Sequence, residues 1–161
     1  MDVITGSIST YVFTMVRGRP LFLLLLRAPG LKHEGTWQAV HGMIEPNEKA
    51  YSAALRECVE ETGLTPERFF RTAYVETFYG DQTDAVHLVP AFAAFVPEAP
   101  TPVLSEEHTD HVWLSLHDAS VRFVFPSQRD AVQVIANAVH RWPDVDVGLH
   151  EMTEVSKASG V

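Results

Sequence analysis

An α/β/α sandwich, with a mixed sheet between two helices, is the fold that this sequence predicts. Three observations lead to it. β-Branched and aromatic residues recur in short blocks divided by Gly/Pro turns, a central segment carries an apolar stripe at helical spacing, and a second such stripe lies toward the C-terminus.

Ile4 to Met15 reads as the first strand, and Arg17-Gly18-Arg19-Pro20 as the turn into a second, Leu21 to Ala28, so that the two form a hairpin. Pro29 to Gly35 is a loop and Trp37 to Val40 a short strand. A helix then runs from about Glu48 to Thr62: Tyr51, Ala54, Leu55, Cys58 and Thr62 form its apolar stripe, Asn47 suits the N-cap and Gly63 the left-handed C-cap. Phe69 to Tyr79 and Val86 to Phe95 read as strands joined by the polar turn Gly80 to Asp84. His111 to Leu116 resembles a last strand. Ser127 to Arg141 has the spacing of a C-terminal helix through Ala131, Val132, Val134, Ile135 and Val139. Residues 1–142 are expected to form one domain, and 143–161 a polar, aperiodic tail that is loose.

The chemistry concentrates in the central helix. Glu57, Glu60 and Glu61 stand at i, i+3 and i+4, so their carboxylates project from one side of a helix and can converge on shared cations. Like charges stacked in this way need a counter-ion, and hard divalent cations such as Mg²⁺ or Mn²⁺ prefer oxygen ligands. At about 100° per residue the glutamates lie roughly 120° from the apolar stripe, so core and chemistry are expected on different faces.

The segment Gly42 to Leu64, GMIEPNEKAYSAALRECVEETGL, resembles the Nudix box: Gly42, Glu48, Arg56, Glu57, Glu60, Glu61, Gly63 and Leu64 match, with Cys58 where an aliphatic residue is usual. The sequence is thus identified as similar to the Nudix hydrolases (MutT-like), whose fold is the same α/β/α sandwich. The resemblance implies Mg²⁺- or Mn²⁺-dependent cleavage of a diphosphate linkage. It implies that Glu60 and Glu61 are principal metal ligands, that Glu57 is a ligand or the base that activates water, and that Arg56 and Glu48 form a supporting ion pair. His41, just before the box, would give its backbone carbonyl to metal; most relatives have Gly there, so its side chain either touches substrate or fills space. Ser105-Glu106-Glu107-His108 resembles the loop that supplies a further metal-binding glutamate, with Glu107 the better match. Arg27 matches a position that reaches substrate phosphate in some relatives, or is simply a surface arginine closing a strand.

The approach to the box, Trp37-Gln38-Ala39-Val40-His41-Gly42, loosely resembles the dATP and dihydroneopterin triphosphate pyrophosphohydrolase group, as does Ser127-Gln128-Arg129-Asp130-Ala131. The reaction so implied turns a nucleoside or pterin triphosphate into the monophosphate and pyrophosphate. Trp37, Tyr79 or Phe78 would stack on the base or pterin ring, unless they are structural aromatics. Diadenosine polyphosphates, nucleotide sugars and a non-catalytic nucleotide-sensing role stay open as alternatives. His108 and His111 as a transition-metal pair, and Cys58 as a nucleophile, are weaker readings.

Composition agrees. A chain of 161 residues at 46% hydrophobic can bury a full core, and a net charge of −9 without a basic run argues against a nucleic-acid polymer as partner. One cysteine allows no internal disulfide, no secretory leader is evident, and the run Leu21 to Leu26 is too short to span a bilayer. A cytoplasmic protein with a small-molecule nucleotide or related diphosphate as partner, and no membrane, is the expectation. A homodimer is among the assemblies the resemblance implies.

Overall fold

A computed structural model describes residues 1–141 and 149–152. The strands are β1 (Asp2–Ile4), β2 (Ser7–Val16), β3 (Arg19–Arg27), β4 (Trp37–Gln38), β5 (Val40–Met43), β6 (Arg68–Gly80), β7 (Ala85–Phe95), β8 (His108–Ser115) and β9 (Leu149–Glu151). The helices are α1 (Ala50–Thr62), α2 (Leu116–Arg122) and α3 (Pro126–Val139). Among the described residues the nine strands join one mixed sheet with the central order β4-β3-β2-β7-β6-β9; β1 pairs with β7, β5 with β2 and β8 with β3. The β2–β7 and β1–β7 pairings are parallel and the others antiparallel.

Alternation along the strands divides the core into two layers, one on each face. On β2 and β3, Ile8, Val12, Leu23 and Leu25 meet Ala53, Ala54 and Cys58 of α1. From the same strands Tyr11, Phe13, Phe22 and Leu24 turn the other way, toward Ala131, Val132 and Ile135 of α3 and Ala119 of α2. Both faces of the central strands are therefore dry, and β3 reads as the continuous run Leu21 to Leu26 for that reason. The sandwich is the one expected. Among the described residues no helix is long and apolar enough to cross a membrane.

Several elements differ from expectation, each for a local reason. The first strand is interrupted at Thr5-Gly6, and the strand at Trp37 divides at Ala39, so that β4 pairs with β3 while β5 pairs with β2. Lys49, not Asn47, occupies the N-cap of α1 and makes no side-chain cap; Asn47 sits in the left-handed region at φ 65°, and the Glu48 carboxylate turns back to accept the Glu45 N–H at 2.9 Å. Gly63 does close α1 in the left-handed region, at φ 66°, with its N–H donating to Val59. Helix α2 was not expected at all. Ser115, which ends β8, caps it by accepting the Asp118 N–H at 3.2 Å. Of the expected loose tail, Leu149–Glu151 pairs with β6, and Glu151 forms a two-pronged ion pair with Arg68 at 3.0 and 2.6 Å. Met152 follows, its N–H donating to the Phe69 carbonyl at 2.8 Å, and the remainder of the tail lies outside the described residues.

The buried face of α1 is also rotated. Its buried residues are Ala53, Ala54, Cys58, Glu61 and Thr62, with Tyr51 and Leu55 only half-buried. At 100° per residue this shifts the face roughly 60° toward the glutamates. Core and chemistry thus share a border rather than occupying separate faces, and Glu61 lies on the core side of it.

Candidate active site

Strand β5 runs under the side of α1, and its alternation buries Val40 and Gly42 while leaving His41 and Met43 exposed. The glycine is required here. A Cβ on residue 42 would stand 2.0 Å from Cδ of Glu57, so the Glu57 carboxyl lies directly on the strand backbone. Arg56 fixes the surroundings of that carboxyl. Its Nε and Nη2 donate to the two oxygens of Glu48 at 3.0 and 2.9 Å, Nη2 also to the Met43 carbonyl at 2.9 Å, and Nη1 to Glu57 at 2.8 Å and Glu60 at 3.1 Å. This planar fork accounts for the requirement for arginine, because an ammonium could not span both Glu48 oxygens and a carbonyl. The Glu48 carboxyl is held below its usual range by the Arg56 hydrogen bonds, and the Arg56 guanidinium is raised in turn, first by Glu48.

The loop before β8 crosses the C-terminal end of α1, where Val103 and Ser105 donate backbone bonds to Thr62 and Glu61. It then joins β3 through the Glu107 carbonyl, which accepts the Ala28 N–H at 2.8 Å. Arg27, at a register shift where β3 meets β8, donates to the Glu107 carboxylate. Arg27 and Glu107, both singled out in the sequence, therefore meet each other at the margin of the box.

Glu61 differs from the other box glutamates. Only 3% of it is exposed, yet its Oε2 has no hydrogen-bond partner, and neither has Nδ1 of the buried His108, which stands 3.7 Å away. Burial pushes the Glu61 carboxyl up to about 9, with the charges of Glu107 and Glu57 adding to it and the His41 backbone bond and Arg27 opposing it. The Glu57 carboxyl is likewise raised by burial, against the pull of Arg56. Burial lowers His108 to about 4, so its ring is neutral at physiological pH and cannot serve as counter-ion to Glu61. An unpaired buried carboxylate oxygen costs about 1–3 kcal/mol or more.

Among the described residues no three Asp, Glu, His or Cys side chains stand together as a ready-made metal cluster. The expected convergence of Glu57, Glu60 and Glu61 is thus not what the side chains do. Glu60 is exposed and, like Glu57, faces Arg56; beyond burial, the charges of Glu60 and Glu107 raise the Glu57 carboxyl, and those of Glu107 and Glu57 raise Glu61. The donor set nevertheless suits a hard divalent cation: all oxygen, partly buried, and with an orphaned atom at Glu61. A cation there would compete with Arg56 and Arg27 for Glu57 and Glu107.

The other candidates fall at different distances from this centre. His41 pairs with Ser9 across β5 and β2, and its Nδ1 lies 3.3 Å from the Ser9 hydroxyl. The residue keeps a solvent-facing surface, but the protein atoms crowded about its ring, with Arg27 and His33 behind them, hold its pKa down to about 4. Trp37 is packed on the α2/α3 side of the sheet, with the Arg122 guanidinium 5.4 Å over its ring. Tyr79 stands 57% exposed near the end of β6 and donates to Asp84 at 2.9 Å, and no contact among the described residues joins it to the glutamates. Cys58 is fully buried and burial pushes its thiol up to about 12, which leaves it no nucleophilic role. The sequence reading missed Glu76, a buried carboxyl on the α3 face that accepts from Tyr11 at 2.7 Å and Ser127 at 3.2 Å. A glutamate facing inward on a strand was the available signal.

The sequence profile of the NUDIX domain matches residues 7–136, which include the glutamate helix, the Arg27 strand and the Glu107 loop. The chain belongs to the Nudix family. Solved structures agree at the level of the fold. An Ap4A hydrolase from C. elegans is 22% identical, with 83% of this chain and 96% of that one covered at a TM-score of 0.68. The E. coli dihydroneopterin triphosphate pyrophosphohydrolase is 23% identical over 83% and 94% at 0.68, and the MutT protein of Methanosarcina mazei 25% identical over 82% and 91% at 0.66. As a Nudix protein the chain is an enzyme of the pyrophosphohydrolase class, in a family whose members generally use divalent metals.

Two outcomes are expected from this geometry. In Gly42→Ala the new methyl displaces the Glu57 carboxyl from the β5 backbone, so turnover should fall at least about tenfold, with the circular dichroism spectrum of the parent. Parent-like turnover would show that Glu57 does not need that position. Glu61, with its native pKa of about 9 above the ordinary 4.5, binds its proton more tightly when folded than unfolded. That contribution to stability is complete below about pH 4.5 and is lost as pH rises toward 9. The melting temperature of the metal-free protein should therefore carry a downward component across this window that Glu61→Gln removes. Mg²⁺ or Mn²⁺ should raise it more at the alkaline end.

Proposed function

We propose that this Nudix enzyme cleaves a diphosphate linkage in a nucleoside or pterin triphosphate, releasing the monophosphate and pyrophosphate, with Mg²⁺ or Mn²⁺ as cofactor. The observation that carries the reading is Glu61: a buried carboxyl, flanked by two like charges and lacking any donor for one oxygen, is a poor structural element and a good half-site for a cation. Glu57, Glu61 and Glu107, with Glu60 at the rim and the His41 carbonyl, would hold the metal. When bound, the metal would neutralise diphosphate oxygens and acidify a water.

The protein's own groups do the rest. Arg27 sits at the margin of the carboxylates, where its remaining donors are available to substrate phosphate, and Arg56 keeps Glu57 in place from behind. Glu57 uses only Oε1 toward Arg56, so Oε2 can take the proton of the attacking water while the bridging P–O bond breaks and pyrophosphate leaves with its electrons. The His108 ring closes the inner wall of the site and keeps bulk water from Glu61.

Of the three aromatic side chains proposed to stack on a ring, Phe78 is the best presented. It is 43% exposed and lies parallel to the His87 imidazole, 4.8 Å between centroids and 4° between planes, which makes a two-ring platform. Trp37 is engaged in packing and Tyr79 with Asp84. The likeness to the pterin enzyme fits a planar heterocycle on such a platform.

The test is phosphate release by the purified protein with Mg²⁺ or Mn²⁺, with and without a coupling pyrophosphatase. The panel contains deoxynucleoside and nucleoside triphosphates, dihydroneopterin triphosphate, dinucleoside polyphosphates and ADP-ribose. Triphosphate turnover that yields phosphate only with pyrophosphatase, and that Glu61→Gln abolishes, is the expected result. Turnover confined to dinucleoside polyphosphates moves the substrate class, and nucleotide binding without turnover of any compound makes the chain a sensor. Phe78→Ala should raise KM for the best triphosphate about tenfold with kcat little changed, as expected for lost stacking.

A further inference from the structure

The sheet carries a concave feature at the end remote from the glutamates. A cleft of about 1470 Å³ opens between the β2–β3 turn, the start of α2 and the C-terminal end of α3. Arg27 marks the catalytic end of β3 and Arg19 the cleft end, eight residues apart, or roughly 26 Å at the rise of a strand. The two sites cannot share one small ligand.

The cleft has an unusual charge for this chain. Arg17, Arg19, Arg141, His117 and His140 line it, and no Asp or Glu does, although the protein as a whole carries −9. Among the described residues none of these three arginines has a carboxylate partner, so no acidic side chain neutralises the rim. Arg17 also occupies its place at a conformational cost. It holds φ 49° beside Gly18 at φ 76°, the two left-handed positions of a tight hairpin turn, where Asn, Asp or Gly is the usual first residue. A long cation kept in such a position points to a use for the side chain.

The floor selects among anions. Leu21, Leu116 and Val134 give it an aliphatic surface. Asn137 adds an amide whose oxygen is taken by Gln133 at 3.1 Å and whose NH₂ is left to donate. An apolar base with a few placed donors and a cationic rim fits a planar heterocycle joined to phosphate.

We infer that this cleft is a second nucleotide site, taking a nucleoside phosphate by its phosphate on Arg17, Arg19 and Arg141 and by its base on the Leu21/Leu116/Val134 floor, without metal. The site is separate from the hydrolytic one.

The test is titration of the ¹⁵N-labelled full chain in EDTA, where the glutamate site has no cation, with AMP, adenosine and inorganic phosphate in parallel. AMP should shift the amides of Arg19, Leu116, Asn137 and His140, and should bind more tightly than either fragment. Arg17→Ser, Arg19→Ser and Arg141→Ser combined should weaken AMP at least about tenfold while leaving the melting temperature unchanged. AMP shifts confined to the surroundings of Arg27, Glu57 and Glu61, or undiminished AMP binding by the triple variant, would overturn the inference. Phosphate binding as tightly as AMP, with no shift at Leu116, would overturn the nucleotide assignment.

Discussion

The bidentate contact between Arg56 and Glu48 is what the rest of the site depends on, because it ties the loop that leaves β5 to the second turn of α1. With that loop held, the Met43 carbonyl caps the same guanidinium and β5 is pressed against the helix along Gly42. Only then can Glu57 lie on the strand backbone. Four carboxylate contacts share this one cation. The arrangement is geometric as well as energetic: a planar, permanently charged group fixes the directions of three carboxyls at once.

Charge is distributed unevenly around it. Glu48, Glu57 and Glu60 are satisfied by Arg56, and Glu107 by Arg27, so the acidic site is neutralised at its edges and left uncompensated at its centre. The centre is Glu61. Against a net charge of −9, Arg27 is the cation that stands at the margin of these carboxylates beside Glu107.

The parts of this arrangement legible in the sequence were those specified by residue chemistry at fixed spacing. The three glutamates could be found from their helical spacing, Gly63 as a left-handed C-cap, and Gly42, Glu48 and Arg56 from their match to the Nudix box. What could not be read depended on pairs distant in sequence. The rotation of α1 follows from Ala53 and Ala54, whose small side chains let the helix approach the sheet, together with a glycine on β5 that admits Glu57; neither half implies the other from sequence. Helix α2 escaped notice because Leu116 continues the alternation of β8, and the Ser115–Asp118 cap was the only sign of a stop. What separates Trp37, Phe78 and Tyr79 is their partners, the α3-side core, the His87 ring and Asp84, which alternation along a strand does not reveal.

Two buried glutamates differ in how their oxygens are served. Glu61 and Glu76 are each 3% exposed, and burial raises both carboxyls. Glu76 accepts from the hydroxyls of Tyr11 and Ser127, so both of its oxygens are served by neutral donors that tie β2 and α3 to β6. Its charge can stay buried, or its proton be kept, without cost to neighbours, and the Tyr11 hydroxyl is raised well above its usual value by burial and by that same carboxyl. Glu61 receives no side-chain donor at Oε2, faces a histidine whose burial keeps it neutral, and has Glu57 and Glu107 as neighbours instead of hydroxyls. Folding alone gains nothing from placing three carboxyls so. Burial by itself therefore does not distinguish the two glutamates; the difference is burial combined with missing donors and like-charged neighbours, and that combination occurs at the end of the Nudix helix.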